Sequence, residues 1–418
     1  MITANIIVLI AIVSIWLLLM VNIVLIIAGY QYYLSCEKAK EREPLVKEKL
    51  PFVSIMVPAH NEAKVIGQTV EALLRFRYPM DRYEIIIIND NSSDDSANIL
   101  ERIQKKNPDR NLTVINTDAV TGGKGKSNAL NIGYQRCVGE FIAIYDADNT
   151  PERDALRLLV EELVLDDNLG AVIGKFRTRN RDASLLTRFI NIETLSFQWM
   201  AQAGRWRLFR LCTIPGTNFI IRRSIVEAIG GWDVKAVAED TEISFRIYMM
   251  GYRIKFIPAA VTWEQEPQTI PVWFKQRTRW VKGNIYVLVK YVPLIFKKEG
   301  KKVRFDICYF LSIYFVLLTA LIISDTVLIF TLIGWVHLNL AGFSGLLWSM
   351  AIILFIIGTF VTLSTEKGEM SVSNLLMIAL MYFTYSKMWM AVAAYGFYKF
   401  MEDKIKKKET TWYKTERF

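Results

Sequence analysis

The residues with the clearest chemical potential are carboxylates that follow apolar runs. Phe141-Ile142-Ala143-Ile144-Tyr145 is β-branched and apolar, and it ends in Asp146-Ala147-Asp148. Side chains alternate faces along a strand, so a strand continuing through this run would point Asp146 and Asp148 the same way. Adjacent carboxylates repel, and a raised pKa or a bound cation relieves the repulsion. Oxygen ligands suit Mg²⁺ or Mn²⁺, ions that share coordination with substrate phosphates, so a nucleotide diphosphate is the natural substrate class. An isolated Asp-x-Asp is more often a solvated acidic turn, and its surroundings must decide. Further acids, Glu239-Asp240 and Glu242, open an expected helix, where acids are commonly dipole partners. One of them could instead be the general base for an attacking sugar hydroxyl.

These groups need elements to hold them. Between about residues 51 and 265 apolar runs alternate with helical patterns, which predicts a mainly parallel α/β sheet with its ligand at the carboxyl ends of the strands. Phe52 to Val57 is a strand delivering His60-Asn61-Glu62, and Glu84 to Ile88 is a strand delivering Asn89-Asp90-Asn91. Helices are expected over Lys64 to Arg75, Ser96 to Lys105 and Lys126 to Gln135, with a third strand at Leu112 to Ile115. Gly123-Lys124-Gly125-Lys126-Ser127 is not a P-loop, because Val120 stands where the leading glycine would be. The turn is either a solvated helix cap or a basic loop receiving anionic oxygens on its N–H groups and on Lys124 or Lys126.

With 52% hydrophobic residues and a mean hydropathy of +0.24, the chain is more apolar than a soluble enzyme of 418 residues needs. Ile6 to about Ala28 is long enough to span a bilayer, and Lys38, Lys40, Arg42, Lys47 and Lys49 follow it, so it reads as an uncleaved anchor with the next segment cytoplasmic. The net charge of +10 matches no nucleic-acid motif and fits an anionic membrane face and a polyanionic nucleotide sugar. Four scattered cysteines make no metal spacing, and His60 and His337 are too few for a histidine site. Val272 to Lys290 reads as an amphipathic helix on a membrane surface. Apolar blocks then run over Ile307 to Leu340, Leu346 to Leu363 and Leu375 to Phe397. Four full spans would put the tail outside, whereas Lys399, Lys404, Lys406, Lys407 and Lys408 argue for inside, so the last block, interrupted at Tyr385-Ser386-Lys387, reads alternatively as re-entrant or tilted.

Together these motifs resemble the processive family 2 glycosyltransferases, the membrane synthases of cellulose, poly-N-acetylglucosamine and hyaluronan. Val57-Pro58-Ala59-His60-Asn61-Glu62 matches the opening motif, and Asn89-Asp90-Asn91-Ser92-Ser93-Asp94 resembles Asp-Asp-Gly-Ser-x-Asp. Asp146-Ala147-Asp148 is similar to the metal motif. Ala238-Glu239-Asp240 stands where Thr-Glu-Asp is usual, and Gln276-Arg277-Thr278-Arg279-Trp280 matches the Gln-x-x-Arg-Trp mark of processive members. The resemblance implies a GT-A-like cytosolic domain at 51–265, between an amino-terminal anchor (1–34) and interfacial helices (266–304), a transmembrane region (305–398) and a basic tail (399–418). It implies Asn61, Glu62, Asp90 and Asp146 at the UDP-sugar, where Lys124 of the glycine-rich turn would join them, and Asp148 with Asp146 at Mg²⁺ or Mn²⁺. Asp240, beside Glu239, would be the base, Arg277 and Arg279 with Gln276 would meet the diphosphate, and Trp280 would stack on the acceptor. The implied activity is inverting polymerisation of UDP-glucose or UDP-N-acetylglucosamine into a β-linked exopolysaccharide, translocated across the cell membrane by a multi-pass protein. Its partners are the lipid bilayer and the growing polysaccharide, with room for accessory export or biofilm proteins. The alternative is single transfer to a lipid-phosphate carrier.

Overall fold

The computed structural model describes residues 2–38, 50–335 and 343–406, with Glu416. Lys40, Arg42, Lys47, Lys49, His337 and most of the basic tail, including Lys407, Lys408 and Trp412, lie outside the described residues.

A long apolar helix, α1 (Ile2–Lys38), precedes the sheet. There follow β1 (Val53–Ala59), α2 (Ile66–Leu74), β2 (Tyr83–Asn89), α3 (Ser96–Lys106), β3 (Leu112–Asn116), α4 (Lys126–Tyr134) and β4 (Phe141–Ile144). The second half adds β5 (Thr150–Pro151), α5 (Ala155–Leu165), β6 (Leu169–Thr178), α6 (Leu185–Phe197), α7 (Arg205–Phe209), β7 (Phe219–Arg222), α8 (Arg223–Ile229), α9 (Glu239–Met249) and β8 (Arg253–Glu264). Among the described residues one sheet forms, in the order β3-β2-β1-β4-β7-β6-β8-β5. β1 pairs in parallel with β2 and β4, and β7 runs antiparallel between β4 and β6. Every residue of β1 and β4 is buried, as continuous apolar runs between two helical layers require. The chain is therefore a GT-A glycosyltransferase fold, a mixed and mostly parallel sheet, with apolar helices at both ends.

One local expectation needs correcting. β4 stops at Ile144, so Asp146 and Asp148 are not placed by strand alternation. The Asn149 N–H donates to the Asp146 carbonyl (3.1 Å), making a turn that sends the two carboxylates to different neighbours.

Beyond the sheet lie α10 (Ile270–Tyr291), α11 (Arg304–Leu311), a π-helical stretch (Ser312–Leu317), α12 (Leu318–Leu332), α13 (Phe343–Leu363), α14 (Val372–Phe383) and α15 (Tyr385–Lys406). Among the described residues Ile6–Lys38 and Arg304–Thr331 are long and apolar enough to cross a membrane; α14 and α15, bent by 40°, would make a third if they form one span. The apolar side of α10, expected on a membrane surface, is covered by protein: Trp273, Val281 and Ile285 cluster with Ile378, Met381, Tyr385 and Val392 of α14 and α15. Val281 reaches within contact of Gly396, where a Cβ would lie 2.7 Å away.

Candidate active site

The strand ends converge on one cavity of about 610 Å³. Glu62 after β1, Asp146 and Asp148 after β4, Glu239 and Asp240 at the start of α9, and Gln276, Arg277, Arg279 and Trp280 on α10 all line it. Its far end runs between α12 and α15, past Leu317, Leu321, Trp389 and Met390.

Lys126, the first residue of α4, joins the two acidic groups. Gly125, at φ 103°, reverses the chain just before it. The ammonium contacts Asp146 Oδ1 (2.6 Å) and Glu239 Oε1 (3.4 Å) and donates to the Gly216 carbonyl (2.7 Å). Burial would push Lys126 down, but Asp146 and then Glu239 outweigh it and hold it charged. Lys124 is exposed and takes no part in the cavity wall.

Asp240 is half-buried and titrates near neutrality, pushed up to about 7 by desolvation and then by Glu239; Lys126, the Thr241 N–H and Arg279 pull the other way. A carboxylate poised there can accept a proton from a hydroxyl at physiological pH. Gly216 has φ 89°, and a Cβ on it would stand 2.9 Å from Asp240 Oδ2. Thr217 clasps the Asp-x-Asp loop: its Oγ1 accepts from the Asp146 N–H (2.9 Å) and donates to Asn149 Oδ1 (2.5 Å).

Asp90, fully buried, accepts from Thr117 Oγ1 and the Gly123 N–H, both at 3.0 Å, through Oδ1. Its Oδ2 is buried and has no hydrogen-bond partner among the described residues. Asn61, at φ 55°, serves the scaffold: its Oδ1 accepts from the Ser93 and Asp94 N–H groups and ties the β1 and β2 ends together.

Arg277 is buried beneath Trp280, its guanidinium 3.9 Å from the ring centroid. It donates to Glu193 Oε2 (3.2 Å) and Gln276 Oε1 (2.9 Å), and Glu193 also accepts from the Tyr385 hydroxyl (2.7 Å). Burial would lower Arg277, but Glu193 and Glu266 keep it protonated. Trp280 remains 39% exposed at the cavity wall, so its free face is available to a ligand. Glu193, on α6, had no motif to announce it.

Asp148 is nearly buried and accepts from the Gln265 N–H (3.3 Å). Among the described residues no group of three metal-ligating side chains forms. Two carboxylates suit an ion that completes its shell from phosphate and water, as Mg²⁺ and Mn²⁺ do. The chemistry of the two carboxylates therefore fits a divalent cation, with Asp146 also paired to Lys126.

Fold and cavity together are those of a GT-A glycosyltransferase. The family profile described as "Glycosyltransferase like family 2" matches residues 51–283, and the chain belongs to that family. It is 46% identical to the probable glycosyltransferase YdaM of Bacillus subtilis, over 97% of this chain and 96% of that protein. It is 32% identical to the poly-β-1,6-N-acetyl-D-glucosamine synthase of Staphylococcus epidermidis, over 63% of each chain. A mannosyltransferase from Pyrobaculum calidifontis, solved with GDP-Man and Mn²⁺, superposes with a TM-score of 0.60 at 23% identity, over 88% of this chain and 99% of that one, and shares the fold.

Proposed function

We propose that this chain is a membrane-embedded, processive and inverting glycosyltransferase that polymerises UDP-glucose or UDP-N-acetylglucosamine into a β-linked exopolysaccharide and starts its translocation. One observation carries the reading. A single cavity leads from the carboxylates past Trp280 to the gap between α12 and α15, so a product formed at Asp240 has a way toward the membrane helices. The likeness to a poly-β-1,6-N-acetyl-D-glucosamine synthase supports it.

In this reading Asp90 Oδ2 takes an N–H of the base, and Lys126 and Arg279 face the diphosphate. Asp146 and Asp148 would hold Mg²⁺ or Mn²⁺, which when bound neutralises phosphate charge. Asp240 removes the proton of the acceptor hydroxyl as that oxygen attacks the anomeric carbon. The diphosphate leaves with the bonding electron pair, and a single displacement inverts the centre. Trp280, backed by Arg277, offers a flat face to the acceptor sugar.

Packing also supports a topology. Arg205 of α7 pairs with Asp306 of α11 (2.8 Å), tying the start of the α11–α12 segment to the catalytic side. Glu366, after α13, pairs with Lys175 (2.7 Å) and accepts from Trp199 Nε1 (2.9 Å), so the far end of α13 returns to that side. α13 has 21 residues, about 31 Å of helix. α15 then runs alongside α10, from the Trp273–Tyr385 bond (3.0 Å) to the Lys282–Asp403 pair. With α1, α12 and α13 read as spans and α14–α15 at the interface, the tail would lie beside the catalytic domain on the cytoplasmic side, which Lys399, Lys404 and Lys406 favour.

Incubating the purified full-length protein with either UDP-sugar and sizing the product tests the activity. Long β-linked polymer supports the proposal, and a single sugar on an extractable lipid overturns processivity. The second outcome has its own support, because Ile313, Leu317, Leu318, Leu321 and Met390 make the inner end of the cavity apolar enough for a lipid acceptor.

A further inference from the structure

Below the catalytic domain, away from the cavity, apolar tips and cations share one exposed surface. The segment Val292–Phe296 ends in Phe296, which is 86% exposed. Leu208 and Phe209 at the end of α7 are each more than 40% exposed, and Phe209 stacks on Phe305 with ring centroids 4.0 Å apart. This stack joins α7 to the base of the apolar segment that begins at Arg304.

The cations are exposed and lack acidic partners among the described residues. Lys297, Lys298, Lys301, Lys302 and Arg304 form no ion pair among the described residues; Lys302 and Arg304 donate only to the backbone carbonyls of Gly251 (3.4 Å) and Lys297 (3.3 Å), which leaves their charge unneutralised. Arg207 and Arg210 add two more, Arg210 lying over the Trp206 ring. Glu299 is the one acid in the run 297–304.

Depth is set by the neighbouring helices. The π-helical stretch Gln198–Gly204, which leads into α7, is pressed on α1, where a Cβ at Gly204 would meet the Leu25 carbonyl at 2.2 Å and one at Gly29 would meet the Trp199 carbonyl at 2.0 Å. Leu25 and Gly29 lie inside the apolar span Ile6–Lys38. α7 thus leaves α1 within that span, and the Arg304 segment enters the second span beside it. Apolar side chains between two spans, surrounded by cations, match the hydrocarbon boundary and the phosphate layer of an anionic leaflet.

We propose that this surface, carried by residues 205–210 and 292–304, binds the headgroups of anionic phospholipids in preference to zwitterionic ones. The inference rests on the membrane placement above and on no particular reaction, so it stands or falls apart from the transferase activity. A basic residue near an anionic membrane surface contributes roughly fivefold in binding, so four lysines allow a large preference and substituting them removes most of it.

The test is native mass spectrometry of the detergent-purified full-length protein titrated with dioleoyl-phosphatidylglycerol or dioleoyl-phosphatidylcholine. Expected results are at least about tenfold tighter retention of the phosphatidylglycerol, weakened by added salt, and loss of at least about fivefold of that preference in the K297Q/K298Q/K301Q/K302Q variant. R207Q/R210Q is the second variant should the first fail to fold, and a melting curve on each checks folding. Equal retention of both lipids, or an unchanged preference in a folded variant, overturns the proposal.

Discussion

Lys126→Met tests whether this cation couples the two acidic groups of the cavity. Lys126 Nζ and Asp240 Oδ2 lie 3.6 and 2.9 Å from one point, the Cβ position of Gly216, so they are at most about 6.5 Å apart. At an effective dielectric constant of about 20 this separation is worth roughly 2.5 kcal/mol. Asp240 is only half-buried, and solvent screening cuts that to about 1.4 kcal/mol, or about one pH unit. The sign follows from the charge: the ammonium favours ionised Asp240, so its loss raises the carboxyl from about 7 to about 8. A base works only when deprotonated, so the acidic limb of the kcat/KM profile for UDP release should move up by about one unit. Protonation alone then costs about fivefold at pH 7 and almost nothing at pH 9. A further loss, equal at all pH values, is expected because Asp146 also loses its partner. Lys126→Arg should restore the limb in part. A variant whose activity falls uniformly, with the acidic limb unmoved, would refute the coupling.

Four other outcomes follow from the same geometry. Asp240→Asn should lower turnover by about 10²- to 10⁴-fold while calorimetry still detects UDP-sugar binding, and near-normal turnover would exclude Asp240 as the base. Chelation by EDTA should abolish transfer, Mg²⁺ or Mn²⁺ should restore it, and Asp148→Asn should raise the metal concentration needed for half-maximal rate; a rate indifferent to EDTA would remove the cation from the reaction. Gly216→Ala should depress activity and melting temperature together, because it combines φ 89° with a Cβ 2.9 Å from Asp240, and a wild-type variant would show that the loop relaxes freely. Arg205→Met should destabilise by about 3–5 kcal/mol, since it strands the buried Asp306 carboxylate without its guanidinium partner; an unshifted melting temperature would show that water reaches Asp306.

How far the sequence could be read depended on whether a residue's role was local. β1, β2 and β4 are apolar runs bounded by polar turns, and their ends carry Glu62, Asp90 and the aspartate pair as anticipated. Asn61 and Asn91 take the left-handed conformation there, which asparagine tolerates. β6, β8 and α6 carry no such local signal, although β6 and β8 are two of the eight strands and α6 supplies Glu193. Lys124 and Lys126 stand two apart in a glycine-rich turn, and composition does not choose between them. The choice is made by the turn at Gly125, which aims Lys126 at a loop 90 residues away. Asp146 and Asp148 were paired by a strand that ends two residues too early, so their divergence depends on Thr217 and Gln265, which only the folded chain brings near.

The same distinction divides the motif on α10. Arg277 and Trp280 are three residues apart on a helix and pack on each other, whereas Arg279, two from Arg277, lines the same cavity on its Asp240 side. Both guanidinium groups were expected on one diphosphate; both line the cavity, but they keep different partners. Arg277 is turned inward, committed to Glu193 and Gln276 and stacked under Trp280, and so holds an aromatic platform. Arg279 lies near enough to Asp240 to lower its pKa, and in the proposed reaction it is the arginine that would meet developing negative charge. Separate substitutions should therefore behave differently. Arg279→Ala should lower turnover, with its largest effect on the transition state. Arg277→Ala should loosen Trp280 and strand Glu193, raising the apparent KM for acceptor and shortening the product. Equal losses of turnover in both variants, with product length unchanged, would return Arg277 to the diphosphate.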